Sequence, residues 1–426
     1  MQMLLKGGRL LDPLAGRDEE CDILLVDGRI EKIGTALAAP AAQVIDMRGK
    51  IVAPGFMDMH VHLREPGFEH KETILTGVTA AAAGGFTAVC CMPNTRPAID
   101  EESVIRYIQG KAAAALEGLV DVYPVAAVTI ERKGERLAPL AELAEAGAVG
   151  FSDDGEPVQD AELMRRALEY AAMFKKPVIQ HAQDVPLTRG GVMNEGFNAT
   201  ALGLAGWPGV AEEVMVARDL RLTEYTGGRY HVAHISTAGT VQIVREGKAR
   251  GIAVTCEVAP HHFTLTDDAV LTYDTNTKMN PPLRTAKDID AILQGLRDGT
   301  VDVIATDHAP HSFDEKEVEF QQAPFGIVGL ETAIGLAITE LVLKNVISLS
   351  QMVEKFSVNP RRILNLPPVT VAEGSVANLT LIDPALPWVV DPRMFRSKSK
   401  NSPFGGRRLT GKPMGVMNHG RVYWAQ

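Results

Sequence analysis

His60 and His62 stand two residues apart in the run Asp58-Met59-His60-Val61-His62. In an extended strand, residues two apart share a face, so both imidazoles project to one side and can grip one ion. Farther along, Asp154 (in Ser152-Asp153-Asp154-Gly155), His181, His234 and Asp307 each follow a short apolar run. Singly, each has an ordinary reading: a histidine at a strand end is commonly a satisfied polar residue, and an aspartate there a cap or turn. Together they put His or Asp at five strand ends, a pattern hard to reach by chance. Four imidazoles and two carboxylates, with no thiolate placed among them, suit zinc. The set exceeds what one tetrahedral ion takes and fits two ions sharing a bridging carboxylate. Such a pair lowers the pKa of bound water and polarises a carbonyl oxygen. The implied reaction is hydrolysis at a carbonyl, or the reverse condensation.

Residues this far apart need a scaffold that gathers strand ends. Between the two chain ends, short apolar runs alternate with helical patterns, the rhythm of parallel βα units. Eight candidate strands fall at 52–59, 86–91, 121–128, 148–152, 177–180, 229–233, 252–257 and 302–306. A helix is expected over 160–174, with Leu163, Ala167, Tyr170 and Ala171 as its apolar stripe. The expectation is an α/β fold, a (β/α)8 TIM barrel over residues 53–365 with its chemistry at the C-terminal mouth. An open dinucleotide-binding sheet would need Gly-x-Gly-x-x-Gly after its first strand, and that motif is absent there.

Both chain ends are rich in strand signals. Asp22-Ile23-Leu24-Leu25-Val26 followed by Asp27-Gly28 reads as a hairpin, and 377–383 and 420–424 read as late strands. Neither end closes a core alone. Residues 1–52 and 366–426 are therefore expected to form one small composite β-sandwich.

The chain has 426 residues, 46% hydrophobic and 23% charged, with a net charge of −10. That is ordinary globular composition. No Lys/Arg-rich run marks a nucleic-acid surface, and no apolar stretch is long enough for a membrane span. Cys21, Cys90, Cys91 and Cys256 form no C-x-x-C pair and read as buried thiols of a reducing compartment. The opening residues lack the long apolar core of a signal peptide. The expected location is the cytoplasm.

At the metal-binding residues the sequence resembles the dihydroorotases. Asp58-Met59-His60-Val61-His62-Leu63-Arg64-Glu65-Pro66-Gly67 is similar to their first signature. Ala305-Thr306-Asp307-His308-Ala309-Pro310-His311, with Lys316 beyond it, is similar to their second. The segments around Asn94, Asn280 and Phe325-Gly326 resemble family segments too, and the likeness spans essentially the whole chain. It implies two zinc ions per chain, one held by His60 and His62, the other by His181 and His234, with Asp154 bridging. Asp307 would approach the first ion and serve as general base and acid, alongside a hydroxide bridging the zinc ions. Arg64, Asn94 and His311 would bind the substrate carboxylate, with Asn280, Phe325 and Gly326 as further contacts and His62 beside them. The implied activity is reversible cyclisation of N-carbamoyl-L-aspartate to (S)-dihydroorotate in pyrimidine synthesis. A homo-oligomer, a dimer, and an association with aspartate transcarbamoylase would accompany the resemblance.

Hydantoinase-like relatives, and some dihydroorotases, bridge their metals with a carboxylated lysine on strand four, yet 146–152 contains no lysine. Asp154 would bridge instead, which resembles the longer bacterial dihydroorotases. Asn378 and Gln183 stand where acids are common in the family, and neither is expected to touch the metal ligands. His231 is expected to be buried structure facing away from His234. His261 and His262 lie near the mouth with a supporting role open, and His308 points to the other face. The polar segment 312–322 reads either as a mobile lid or as a solvated loop. Two rival functions remain: another cyclic amidohydrolase, such as an allantoinase or dihydropyrimidinase, or a non-catalytic scaffold for the transcarbamoylase. The missing lysine and Arg64 count against the first, and the complete ligand set against the second.

Overall fold

A computed structural model describes residues 2–425. Within it, two strands from the chain's beginning pair as the sequence suggests. Arg17–Val26 and Arg29–Gly34 are antiparallel, with Val26 opposite Arg29. Only Asp27 and Gly28 lie between them, and both have positive φ, the geometry that matches strand twist in a two-residue hairpin. Gln2–Asp12 lies beside Arg17–Val26 and, in parallel, beside Ile51–Pro54. Ile51–Pro54 then pairs antiparallel with Leu379–Val389, from the far end of the chain. Arg408–Asn418 and Arg421–Trp424 complete one continuous eight-stranded sheet, with Gln43–Asp46 paired to Gln2–Asp12. Its core is its own, built from residues such as Leu5, Leu10, Ile23, Ile30, Val52, Leu379 and Leu381.

The remaining strands are parallel. Phe56–Val61, Phe86–Cys91 and Asp121–Pro124 are neighbours in that order. Val178–Gln180, Tyr230–Val232, Val254–Val258 and Val303–Ile304 form a second run. Phe151 bridges Ala126 on one side and Val178 on the other, and Val61 bridges His308. The pairings therefore pass through eight positions and return to their start. Phe56–Val61 and Phe86–Cys91 are buried at every residue, as strands covered on both faces must be.

Two sequence expectations shift here. The first barrel strand starts at Phe56, because Ile51–Pro54 is claimed by the terminal sheet. The helix expected over 160–174 spans Ala161–Met173, capped by Asp160, whose side chain accepts from the Leu163 N–H. Its buried stripe is Met164, Ala167, Leu168 and Ala171, while Tyr170 is exposed. The four cysteines are buried and free. Among the described residues, no helix is long and apolar enough to cross a membrane.

Candidate metal centre

Asp58, on the first barrel strand, ties that strand to the last: its carboxylate accepts the N–H groups of His60 and Thr306, at 3.0 and 3.1 Å. This sets the strand end carrying His60 and His62 beside the one carrying Asp307. Just past the strands, Arg64, His234 and Asp307 all adopt positive φ, 61°, 29° and 49°. Such conformations cost free energy in non-glycine residues and cluster at functional sites.

The six residues expected to hold metal come together. His60 Nε2 lies 3.3 Å from Asp154 Oδ1 and 3.6 Å from Asp307 Oδ1. His62 Nε2 lies 3.1 Å from Asp307 Oδ1 and 3.6 Å from Asp154 Oδ2. His181 Nδ1 and His234 Nε2 each lie 3.6 Å from Asp154 Oδ1, and 2.9 Å from one another. One carboxylate oxygen of Asp154 thus faces three imidazoles and the other faces the fourth.

The residues fit a cation. His60 Nε2 and Asp154 Oδ1 are buried with no hydrogen-bond partner, an arrangement that costs free energy unless something binds them. The outer nitrogens explain the tautomers. His62 Nδ1 lies 2.8 Å from Asn94 Oδ1, and His181 Nε2 lies 3.1 Å from Gln183 Oε1. Each oxygen can accept an N–H, which would leave the opposite ring nitrogen free to turn a lone pair towards a bound cation. Two trios, His60/Asp154/His234 and His60/His62/Asp307, keep their ligand atoms within 4.8 Å of each other.

Gln183 corrects an expectation: it does touch the His181 imidazole, and it also accepts from Asn280 Nδ2 at 3.2 Å. Glu257, which no sequence motif marks, also belongs to this centre. It is buried on Val254–Val258 with Oε1 2.6 Å from His60 Nδ1. A lone glutamate in an apolar run carries no spacing signal. Asp153, next to the centre, instead organises the neighbouring loop by accepting the N–H groups of Val128 and Thr129. His308 turns away to Glu72, at 3.3 Å.

Electrostatics keep the two central acids ionised. Burial alone would push Asp154 up, but His60, His181 and His234 hold it well below the usual carboxylate range. Burial opposes Asp307 in the same way, and His62, His60 and His234 reverse it.

A cavity of about 330 Å³ opens over this centre. Its wall includes His62, Asp154, His181, His234 and Asp307 together with Arg64, Asn94, Asn280, His311, Phe325 and Gly326. His60 lies beneath. Arg64 Nε donates to the Pro310 carbonyl at 3.2 Å, and its Nη2 lies 3.4 Å from His311 Nε2. Burial lowers the Arg64 pKa to about 10, which leaves it cationic at neutral pH. His311 is held far below the ordinary histidine value by burial and by Arg64, Lys316 and Lys71, so it is neutral. Its Nε2 lies 2.8 Å from the Phe325 carbonyl, and the Gly326 N–H donates to Lys278 O.

The family profile described as dihydro-orotase-like matches residues 49–240. A dihydroorotase of Pelotomaculum thermopropionicum is 57% identical over 99% of this chain and 98% of its own length. One of Pelobacter propionicus is 54% identical over the full length of both. Among solved structures, L-hydantoinase (dihydropyrimidinase) from Arthrobacter aurescens superposes with a TM-score of 0.88 at 26% identity, covering 99% of this chain and 95% of that one. Hydantoinases thus share the architecture, whereas full-length identity above one half lies with the dihydroorotases. The chain belongs to the dihydroorotase family of metal-dependent cyclic amidohydrolases.

Proposed function

We propose that this chain interconverts N-carbamoyl-L-aspartate and (S)-dihydroorotate, using two zinc ions per chain. The observation that carries the reading is one cavity that joins five of the six ligand-type side chains to a cationic arginine. Its volume, near the lower end for ligand pockets, suits a single six-membered ring bearing one carboxylate.

His60, His62 and Asp307 would hold one ion, His181 and His234 the other, with Asp154 between them. When bound, the pair would polarise the ring carbonyl and lower the pKa of water beside it. The protein's own groups do the rest. Asp307, kept ionised, takes the proton of the attacking water and returns it to the departing ring nitrogen. In the closing direction the same carboxylate moves the proton the other way.

Arg64 pairs its guanidinium with the ring carboxylate, supported by neutral His311 and by Asn94. Asn280, steadied by Gln183, faces the same space with the Phe325-Gly326 backbone. A dihydropyrimidinase substrate has no carboxylate for Arg64 to meet.

The test is hydrolysis of dihydroorotate and of dihydrouracil by the purified chain, with and without a chelator. Turnover of dihydroorotate that chelation abolishes and zinc restores is expected. A preference for dihydrouracil, or chelator-insensitive turnover, would overturn the reading.

A further inference from the structure

Glu257 sits between two imidazoles. Its Oε1 lies 2.6 Å from His60 Nδ1 and its Oε2 lies 3.2 Å from His231 Nε2. His231 is fixed at its other end, where Nδ1 lies 2.8 Å from Thr255 Oγ1. All of this is built on barrel strands. His231 is the register partner of Thr255, two residues before Glu257 on the adjacent strand. His60, His231 and Glu257 are each at most 1% exposed, so no solvent competes for these contacts.

The donor and acceptor roles are determined by chemistry. An ionised carboxylate only accepts, so His60 must carry its proton on Nδ1 and His231 its proton on Nε2. Each of the two Glu257 oxygens faces a different imidazole nitrogen, at 2.6 and 3.2 Å. With Nδ1 protonated, His60 Nε2 would offer its lone pair to a cation held beside Asp154 and Asp307. His231 Nδ1 then accepts from the Thr255 hydroxyl. An apolar side chain would fill this barrel position as readily as a charged one, and would avoid the cost of burying an ion.

We propose that Glu257 and His231 form a positioning pair for the metal centre: the carboxylate fixes the tautomer and orientation of His60, and His231 fixes the carboxylate. The proposal rests on the reading of His60 as a zinc ligand. Carboxylate partners of this kind orient imidazole ligands and raise their basicity, and losing one typically costs about 10–100-fold in metal affinity.

Zinc affinity, measured by competition with a chelator, tests it on the full chain. Glu257→Ala is expected to weaken zinc binding by about 10–100-fold, and His231→Gln to weaken it by less. Combining the two should cost no more than Glu257→Ala alone, because both act through one chain of contacts. In cobalt-substituted protein, the visible absorption of Glu257→Ala should differ from that of the parent. Should that variant not fold, Glu257→Gln serves. Its amide oxygen can still accept from His60 but carries no charge, so the far-downfield imidazole N–H resonance should move upfield and zinc affinity fall. Parental affinity and an unmoved resonance in folded Glu257→Gln overturn the proposal. His62→Ala is the control. If it loses zinc while the Glu257 variants do not, only the positioning pair fails; if it keeps zinc as well, the metal reading itself fails.

Discussion

The side-chain oxygen of Asn94 lies 2.8 Å from His62 Nδ1, while Asp307 Oδ1 lies 3.1 Å from the same ring's Nε2. Asn94 therefore orients an imidazole of the centre as well as lining the cavity. Asn94→Ala is expected to lower metal affinity by about 10–100-fold and turnover with it. Asn94→Asp keeps an acceptor for the imidazole but sets a negative charge beside the substrate carboxylate. It should retain metal and raise KM. Equal metal loss in both variants would leave Asn94 without the substrate role.

Asp154 is the only one of the six whose two oxygens divide between imidazoles of both proposed ions. Wild-type protein should carry close to two zinc ions per chain, since six ligands exceed one tetrahedral shell. Asp154→Ala should lose at least one of them and nearly all activity. Elemental analysis showing that variant fully loaded and active would remove Asp154 from the bridge.

Asp307→Asn separates binding from chemistry. The amide retains shape and one acceptor oxygen but cannot take a proton near neutral pH. Metal content should largely survive while kcat falls by about 10²-fold or more, the usual scale for losing a general base. Near-parental turnover in a metal-replete variant would exclude Asp307 from proton transfer.

Much of this centre is legible in one dimension because barrel strands end where their chemistry begins. His60 and His62 announce a shared face by spacing alone, and His181, His234 and Asp307 each end an apolar run. What escaped is what spacing cannot encode. Glu257 and its partner His60 are 197 residues apart and meet only because the barrel curves. Gln183 offers an amide oxygen where an acid was the familiar choice, and an amide oxygen accepts an imidazole N–H just as well. In the helix Ala161–Met173, Ala167 and Ala171 are buried as expected, but Met164 and Leu168 complete the stripe while Tyr170 is exposed. The polar run 312–322 conceals a buried lysine, and charge in sequence does not reveal burial.

That lysine, Lys316, makes the loop pH-sensitive in a defined direction. Its ammonium donates to the carbonyls of Thr275 and Pro324, at 3.1 and 2.7 Å, and burial lowers its pKa from 10.5 to about 7. Below that value both folded and unfolded chains hold the proton, and the folded state bears the full cost of burying it. From about pH 7 to 10 the folded chain releases the proton while the unfolded chain keeps it, so this group's contribution to stability rises with pH. Lys316→Met should be less stable outright, yet its melting temperature should climb less between pH 7 and 9 than the parent's. Parallel curves for the two proteins would mean that Lys316 titrates normally.

Substrate choice should rest on Arg64. Dihydroorotate differs from dihydrouracil by one ring carboxylate, and a guanidinium can pair with a carboxylate through two parallel hydrogen bonds. Arg64 lines the cavity beside His311, two residues beyond His62, and burial leaves it charged. Charged hydrogen bonds contribute about 1.5–3 kcal/mol each, so losing the pair should lower kcat/KM on dihydroorotate well over tenfold. Its Nε also supports the Pro310 carbonyl, so some loss of order in that loop is expected as well. Arg64→Met assayed on both rings separates the two effects. Dihydroorotate turnover should collapse while any weak dihydrouracil turnover stays near its parental level, because the neutral ring never used the charge. An equal fall on both substrates with metal retained would make Arg64 a support for the 307–311 loop, and the discrimination would have to lie elsewhere in the cavity.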